Sequence, residues 1–330
     1  MDFELLPKIE LHCHLDGSVR PETILDIATK ENIEIQTYDL NQLRGLLQAP
    51  LECKSLVEYL DRFNLPIKIM QSKESLRRIT YELLEDAAKE NVKYIEIRYA
   101  PVLHTENGLT IEQVIESVID GIKQGEKDFN IKANLILSCL RHRGADSAAT
   151  VVEAGKKFLD KGVVAVDLAG AENEGFAKEF VDVISIAREY GYRVTIHAGE
   201  TGIGLNVVDA IKLLHAERIG HGVAIKDLKE AYDLVKENNV TLEMCPTSNM
   251  QTKAVKSYEE HPLFKFYKDG IRVSFNTDNR TVSATNITGE CKSIDKVVNM
   301  THEDYKKIYN DSVDATFATE EVKAYLKTLI

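Results

Sequence analysis

Apolar positions along the chain follow two rhythms. Short β-branched and aliphatic runs recur at 9–14 (IELHCH), 94–100 (YIEIRYA), 134–141 (NLILSCLR), 163–169 (VVAVDLA), 193–198 (RVTIHA), 218–224 (RIGHGVA), 241–245 (TLEMC) and 272–277 (RVSFNT). These predict eight strands. Stretches of helical period, such as 176–189 and 228–237, fill the gaps. From the second strand on, the starts lie 40, 29, 30, 25, 23 and 31 residues apart, about one βα unit each. Continuous apolar runs are the mark of a parallel sheet covered by helices on both faces. Eight such units predict an α/β fold of the closed (β/α)₈ TIM type, with a doubly wound open sheet as the alternative.

The first gap breaks the rhythm, because the first two strands start 85 residues apart. It holds helical patterns at 21–32, 55–70 and 72–90, which predict a helical insertion above the barrel. Within it Leu56, Tyr59, Leu60 and Phe63 fall at i, i+3, i+4 and i+7, one apolar stripe on a helix. Such a stripe either packs on the barrel or forms a lid over its mouth. No linker, repeat or low-complexity tract divides the chain, so residues 1–330 read as one domain.

Composition narrows the partners. The chain is 44% hydrophobic and 28% charged, which is ordinary for a globular protein. No run of about 18 apolar residues offers a membrane span, and the acidic start Met1-Asp2-Phe3-Glu4 does not resemble an export signal. Forty-one Lys and Arg against 53 Asp and Glu give a net charge of −12. That field repels nucleic-acid phosphates and anionic lipid, so neither nucleic acid nor membrane is expected as a partner. A small molecule is. Five scattered cysteines without a CxxC pair fit a reduced, cytoplasmic setting. Composition leaves monomer or homodimer undecided.

A barrel places its reactive groups at the C-terminal ends of its strands. There the sequence puts His12-Cys13-His14-Leu15-Asp16-Gly17, Asp167-Leu168-Ala169-Gly170, His197-Ala198-Gly199-Glu200, His221-Gly222 and Asp278-Asn279. His12 and His14 are two apart on a strand, so both imidazoles point to one side and Cys13 to the other. With His197 and Asp278 they form an N₃O set with room for water, which is a catalytic zinc arrangement. Such a metal brings the pKa of its water toward ~7 and supplies hydroxide at neutral pH. Glu200, three residues after His197, suits a general acid. His221 either orients the hydroxide or is a structural histidine. Gly170 either makes a tight turn or leaves a backbone N–H open to ligand. His104, His142, His261 and His302 read as structural. His215-Ala216-Glu217 lacks the PCxxC of a cytidine-deaminase zinc site, and no phosphate-binding glycine loop occurs.

Read in order, 8–17 (KIELHCHLDG), 167–170 (DLAG), 197–200 (HAGE), 218–222 (RIGHG) and 276–278 (NTD) make the chain resemble the adenosine deaminase family of the metal-dependent amidohydrolase superfamily, from about residue 6 to 315. The resemblance implies one zinc per chain on His12, His14, His197 and Asp278, with His14 and Asp278 also facing the substrate and the chemistry. It implies attack of zinc-bound hydroxide on purine C6 of adenosine and 2′-deoxyadenosine, giving inosine or deoxyinosine and ammonia. Glu200 would protonate N1 and His221 would hold and polarise the hydroxide. Gly170 would donate its N–H to N3, and Asp16 would accept from the ribose 5′-hydroxyl. Leu56, Tyr59, Leu60 and Phe63 match an apolar gate over the purine.

The remaining readings are weaker. An adenine or AMP-type deaminase would share the metal set, but a 5′-phosphate would meet like charge at Asp16, and free adenine would leave Asp16 unused. A binuclear amidohydrolase needs a lysine at the end of the fourth strand, whereas Lys161 stands at its start. A catalytically silent zinc- and nucleoside-binding protein has no need of Glu200 and His221 together.

One position departs from the family pattern. Asn279 stands where a second aspartate is common, placed to donate a hydrogen bond to purine N7. An amide NH₂ donates at any pH, whereas a carboxyl must first be protonated. Asn279→Asp is therefore expected to stay active and to acquire a pH dependence. An unchanged pH–rate profile would contradict a direct N7 contact.

Overall fold

The structure, a computed structural model, describes all 330 residues except Glu52 and Lys54. Eight parallel strands follow one another around a barrel in chain order. They are β1 (Lys8–His14), β2 (Val92–Tyr99), β3 (Lys132–Leu140), β4 (Val163–Ala169), β5 (Arg193–Ala198), β6 (Arg218–His221), β7 (Thr241–Met244) and β8 (Val273–Phe275). The barrel closes at its upper rim. His14 N–H donates to Asp278 O at 2.7 Å, and Asp278 N–H to His12 O at 2.9 Å. Lower down, Leu11 N–H donates to the Asn276 side chain at 2.8 Å.

Two predicted strands end early, for one reason. The sixth was expected to reach residue 224, but His221 (φ 65°) and Gly222 (φ 67°) both turn left-handed and lead into a 3₁₀ turn at Val223–Asp227. The eighth was expected to reach 277 and stops at Phe275, ahead of left-handed Asp278 (φ 61°). Positive φ is unfavourable for both residue types and clusters at functional sites.

The strands also differ from uniform apolar runs. In β1, Leu11 and Cys13 join the apolar core, while Lys8, Glu10 and His12 are buried polar groups. A register shift between Glu10 and Cys13 breaks simple alternation: Glu10 bonds Thr277 and Arg280, and Arg280 reaches Glu90 ahead of β2, whereas His12 turns to Glu243 in a polar barrel interior. Glu96, Arg98, Asp167, Arg218 and Glu243 fill that interior, essentially without solvent contact.

The long first connection divides into five helices: α1 (Pro21–Lys30), α2 (Leu40–Leu47), α3 (Leu56–Leu60), α4 (Asn64–Ile69) and α5 (Lys73–Lys89). Three corrections to the sequence reading follow. Residues 55–70 are not one helix, since a 3₁₀ turn at Asp61–Phe63 separates α3 from α4; Pro66 has no N–H to continue the ladder back to Arg62. Helix α2 was missed; Asp39 caps it by accepting from Gln42 N–H at 2.9 Å, and it buries Leu43 and Leu47. Finally, α5 does not sit above the barrel. It packs on β2 and on the helix Ile111–Asp128, so it belongs to the outer ring. Glycines 121 and 125 permit that packing, since a Cβ on Gly121 would lie 2.5 Å from the Arg77 carbonyl. Among the described residues, no helix is long and apolar enough to cross a membrane.

Candidate active site

The strand ends bring His12, His14, His197, His221 and Asp278 to one point. His12 Nε2 and His14 Nε2 lie 3.3 and 3.4 Å from Asp278 Oδ1. His14 Nε2 and His197 Nε2 are 3.2 Å apart. Donor atoms of His12, His197, His221 and Asp278 all fall within 4.8 Å of one another. The tightest buried cluster thus contains His221 where the sequence reading put His14, and His14 stands immediately beside it.

Buried carboxylates behind His12 and His197 set which nitrogen of each of these two rings is free. Glu243 Oε2 accepts from His12 Nδ1 at 2.9 Å, and Asp167 Oδ1 from His197 Nδ1 at 2.9 Å. Burial alone would push the Glu243 pKa up. The guanidinium groups of Arg98 and Arg218, each 2.7 Å away, reverse this and hold it well below the ordinary range. Asp167 is likewise raised by burial but lowered overall by His197 and Arg98. Both therefore remain acceptors. Their imidazole partners carry the proton on Nδ1 and turn an Nε2 lone pair toward the centre.

These groups fit a metal ion. His12 Nε2 is fully buried and has no hydrogen-bond partner, a costly state that a cation would relieve. Burial pushes the pKa of His14 well below its usual value, so this ring is a neutral donor. Burial alone would raise the Asp278 pKa, but His12, His221 and His14 together hold it well below the ordinary carboxylate range. Ser248 Oγ donates to its second oxygen at 2.5 Å. Neutral imidazoles with one carboxylate match the zinc preference for nitrogen and oxygen ligands.

A cavity of about 470 Å³ opens above the cluster, large enough for a small organic ligand. Glu200 lies at its floor, with Oε2 3.7 Å from His221 Nε2. Gly170 lies on its wall in a left-handed conformation (φ 92°). Asp16 is buried, accepts from Gly17 N–H at 3.2 Å, and has its pKa pushed up to about 7 by burial. Leu56, Tyr59, Leu60 and Phe63 form part of the lining, as the gate reading expects. Packing also holds them, since Leu56, Tyr59 and Phe63 cluster with Ala49, Cys53 and Val282. No Lys or Arg occurs among the described residues of the lining.

Asn279 lines the same cavity, and its Nδ2 donates to Tyr59 OH at 2.9 Å. Tyr59 OH also pairs with Ser283 Oγ at 2.6 Å. Strand β8 is thereby tied to the gate helix α3, a link that sequence spacing could not show. His142, read as structural, is part of the cavity wall, whereas His104 is buried beside the Tyr99 ring.

The sequence reading missed two residues that hold the loops. Glu172 accepts from the backbone N–H groups of Gly199 (2.7 Å), Glu200 (3.0 Å) and Thr201 (3.0 Å), and from Asn206 Nδ2 (2.9 Å). Arg141 donates to Gly170 O at 2.7 Å and to His197 O, with its guanidinium 4.1 Å from the Phe176 ring centroid. The loops after β4 and β5 are thus locked together.

A (β/α)₈ barrel with buried imidazoles and a carboxylate that fit a metal ion, and with Glu200 beside them in the cavity, has the architecture of the amidohydrolase class. Comparison with known proteins makes this specific. The family described as "Adenosine deaminase" matches residues 7–330, and the chain belongs to it. It is 58% identical over 325 residues to an adenosine deaminase of Clostridium perfringens (strain 13 / Type A), covering 98% of each chain. Among solved structures it resembles the adenine deaminase from Arthrobacter aurescens, with TM-score 0.91, 28% identity, and 98% and 97% of the two chains covered. It also resembles an amidohydrolase from Burkhoderia ambifaria with bound Zn, with TM-score 0.89, 27% identity, and 99% and 90% covered.

If the carboxylates aim the imidazoles, Asp167→Asn will weaken zinc binding about 10- to 100-fold with the fold intact. Competition against a chromophoric chelator measures this. Unchanged affinity would show that Asp167 does not direct His197.

Proposed function

We propose that this chain hydrolytically deaminates adenosine and 2′-deoxyadenosine, consuming water and releasing inosine or deoxyinosine and ammonia. The observation that carries the reading is the convergence of imidazoles, two of them directed by buried carboxylates, beside Glu200 and beneath a largely apolar cavity. His12, His14, His197 and Asp278 would hold one zinc per chain. When bound, the metal supplies hydroxide near neutral pH.

The remaining work falls to the protein. Glu200 protonates purine N1, which draws electron density from C6 and prepares the amino group to leave. His221, facing Glu200 across the floor, holds the attacking oxygen in place. Gly170 offers its N–H to N3, and Asp16 accepts from the 5′-hydroxyl. One amide proton of Asn279 is committed to Tyr59; the other is available for N7. Leu56, Tyr59, Leu60 and Phe63 cover the purine and exclude water, which strengthens every polar contact below them.

The lining favours a nucleoside. A 5′-phosphate would approach Asp16 and Asp61 with no lysine or arginine among the described lining residues to compensate, and free adenine would leave Asp16 without a partner. The reading places the enzyme in purine salvage in the cytoplasm. Five buried free cysteines suit a reducing compartment.

Ammonia release and ultraviolet change with adenosine, 2′-deoxyadenosine, adenine and AMP, before and after chelation, test the proposal. Chelator-sensitive turnover of the two nucleosides, with adenine and AMP poor, is expected. Turnover of adenine or AMP alone would overturn the substrate assignment. Glu200→Gln should lower kcat about 10²- to 10⁴-fold with zinc retained; a protein that only binds nucleoside would show no rate to lose.

A further inference from the structure

His261 has no role in the chemistry described above, yet the structure buries it behind His221. A chain of hydrogen bonds connects the two, and its direction can be read from one end. Leu263 N–H, a backbone group that can only donate, points at His261 Nδ1 at 3.3 Å. Burial pushes the His261 pKa down to about 3, so near neutral pH this ring carries one proton. With Nδ1 accepting, that proton sits on Nε2, which lies 3.1 Å from Asn249 Oδ1. The amide is thereby oriented, and Asn249 Nδ2 faces His221 Nδ1 at 3.0 Å. An amide nitrogen has no lone pair to offer, so His221 Nδ1 must be the acceptor.

We infer that Leu263, His261 and Asn249 form a directional relay that fixes His221 as the Nε2–H tautomer, which makes Asn249 and His261 positioning residues for the proposed deamination. The backbone holds the middle of the relay in place. Asn249 N–H donates to Cys245 O at 2.8 Å, and Asn249 O accepts from Val255 N–H at 3.1 Å. Both Asn249 and His221 are essentially without solvent contact, so water does not offer an alternative partner.

Two consequences follow. A nitrogen that carries a proton cannot ligate a metal, so His221 is removed from the buried cluster as a ligand, and His14 completes the N₃O set. The Nε2–H of His221 instead points into the site as a donor, suited to holding an oxygen nucleophile by its lone pair. His12 and His197 are set the opposite way by Glu243 and Asp167, with Nε2 bare. Three of the rings are thus sorted by what stands behind them: a carboxylate behind His12 and His197 leaves a ligand nitrogen, and the amide behind His221 leaves a donor.

The second consequence rests on the proposed function; the tautomer itself does not. Long-range ¹H–¹⁵N spectra of ¹⁵N-histidine-labelled, zinc-loaded protein test it, with His221 assigned by its loss in His221→Asn. The expected result is a bare Nδ1 and a protonated Nε2 on both His221 and His261. A proton on His221 Nδ1 would overturn the inference. His261→Phe fills the space but removes the donor, which frees the Asn249 amide to turn. Its His221 proton should move at least partly to Nδ1, and kcat for adenosine should fall about tenfold or more with KM within about twofold. His261→Gln, which still offers an N–H, should restore both. A His261→Phe variant with an unshifted His221 tautomer would contradict the relay. Absence of any purine turnover with Nε2–H present would remove the function and leave the relay standing.

Discussion

The barrel interior is held by buried charge, and the metal-binding geometry depends on it. Arg98 joins Asp167 to Glu243, and Arg218 joins Glu243 to Glu96, with all five groups withdrawn from water. Taking such charges out of water is expensive, and well-packed apolar residues often serve stability as well or better. The lattice therefore needs a reason beyond stability. It has one in a second task of the same carboxylates: Glu243 Oε2, which also meets Arg98, and Asp167 Oδ1 each accept from the Nδ1 of a histidine. An apolar interior of the same volume would leave His12 and His197 free to rotate and to exchange tautomers.

The same logic extends upward to the loops. Arg141 and Glu172 lock the segment bearing Gly170 to the segment bearing Glu200. Those are the groups proposed to meet N3 and N1, two neighbouring positions on one edge of a purine. Their separation is thus set by buried hydrogen bonds rather than by loop flexibility, which is the pre-organisation that transition-state stabilisation requires. On the opposite side, the Asn279–Tyr59–Ser283 contacts fasten the gate to the end of β8. Left-handed backbone at His221 and Asp278 is held in place by this surrounding network.

Much of this was legible in the sequence. Eight apolar runs pointed to the barrel, polar residues at their ends pointed to the imidazoles and carboxylates that meet at the cavity, and a helical stripe in the first connection pointed to part of its apolar lining. What escaped did so for physical reasons. Glu96, Arg98 and Glu243 sit in strands that read as continuous apolar runs, and their pairing takes shape only when the barrel closes around them. Glu172 acts through oxygen atoms on a neighbouring loop, and no local spacing announces that partner. His261 and His221 are linked through Asn249, and neither periodicity nor motif connects residues so far apart in the chain. Helix boundaries in the first connection depended on Pro66 and on the Asp39 cap, which a hydrophobic stripe does not register. The swap of His221 for His14 in the tightest cluster could not be resolved by proximity; it needed the hydrogen bonds behind each ring.

Two carboxylate-directed imidazoles, with His14 and Asp278, are proposed to hold one zinc with an open position. X-ray absorption at the zinc edge of reconstituted protein tests this most directly. Three imidazole nitrogens with a carboxylate and one further light oxygen ligand, and no sulfur, are predicted. A thiolate in the shell, fewer than three imidazoles, or a metal–metal vector from a second ion would contradict the account.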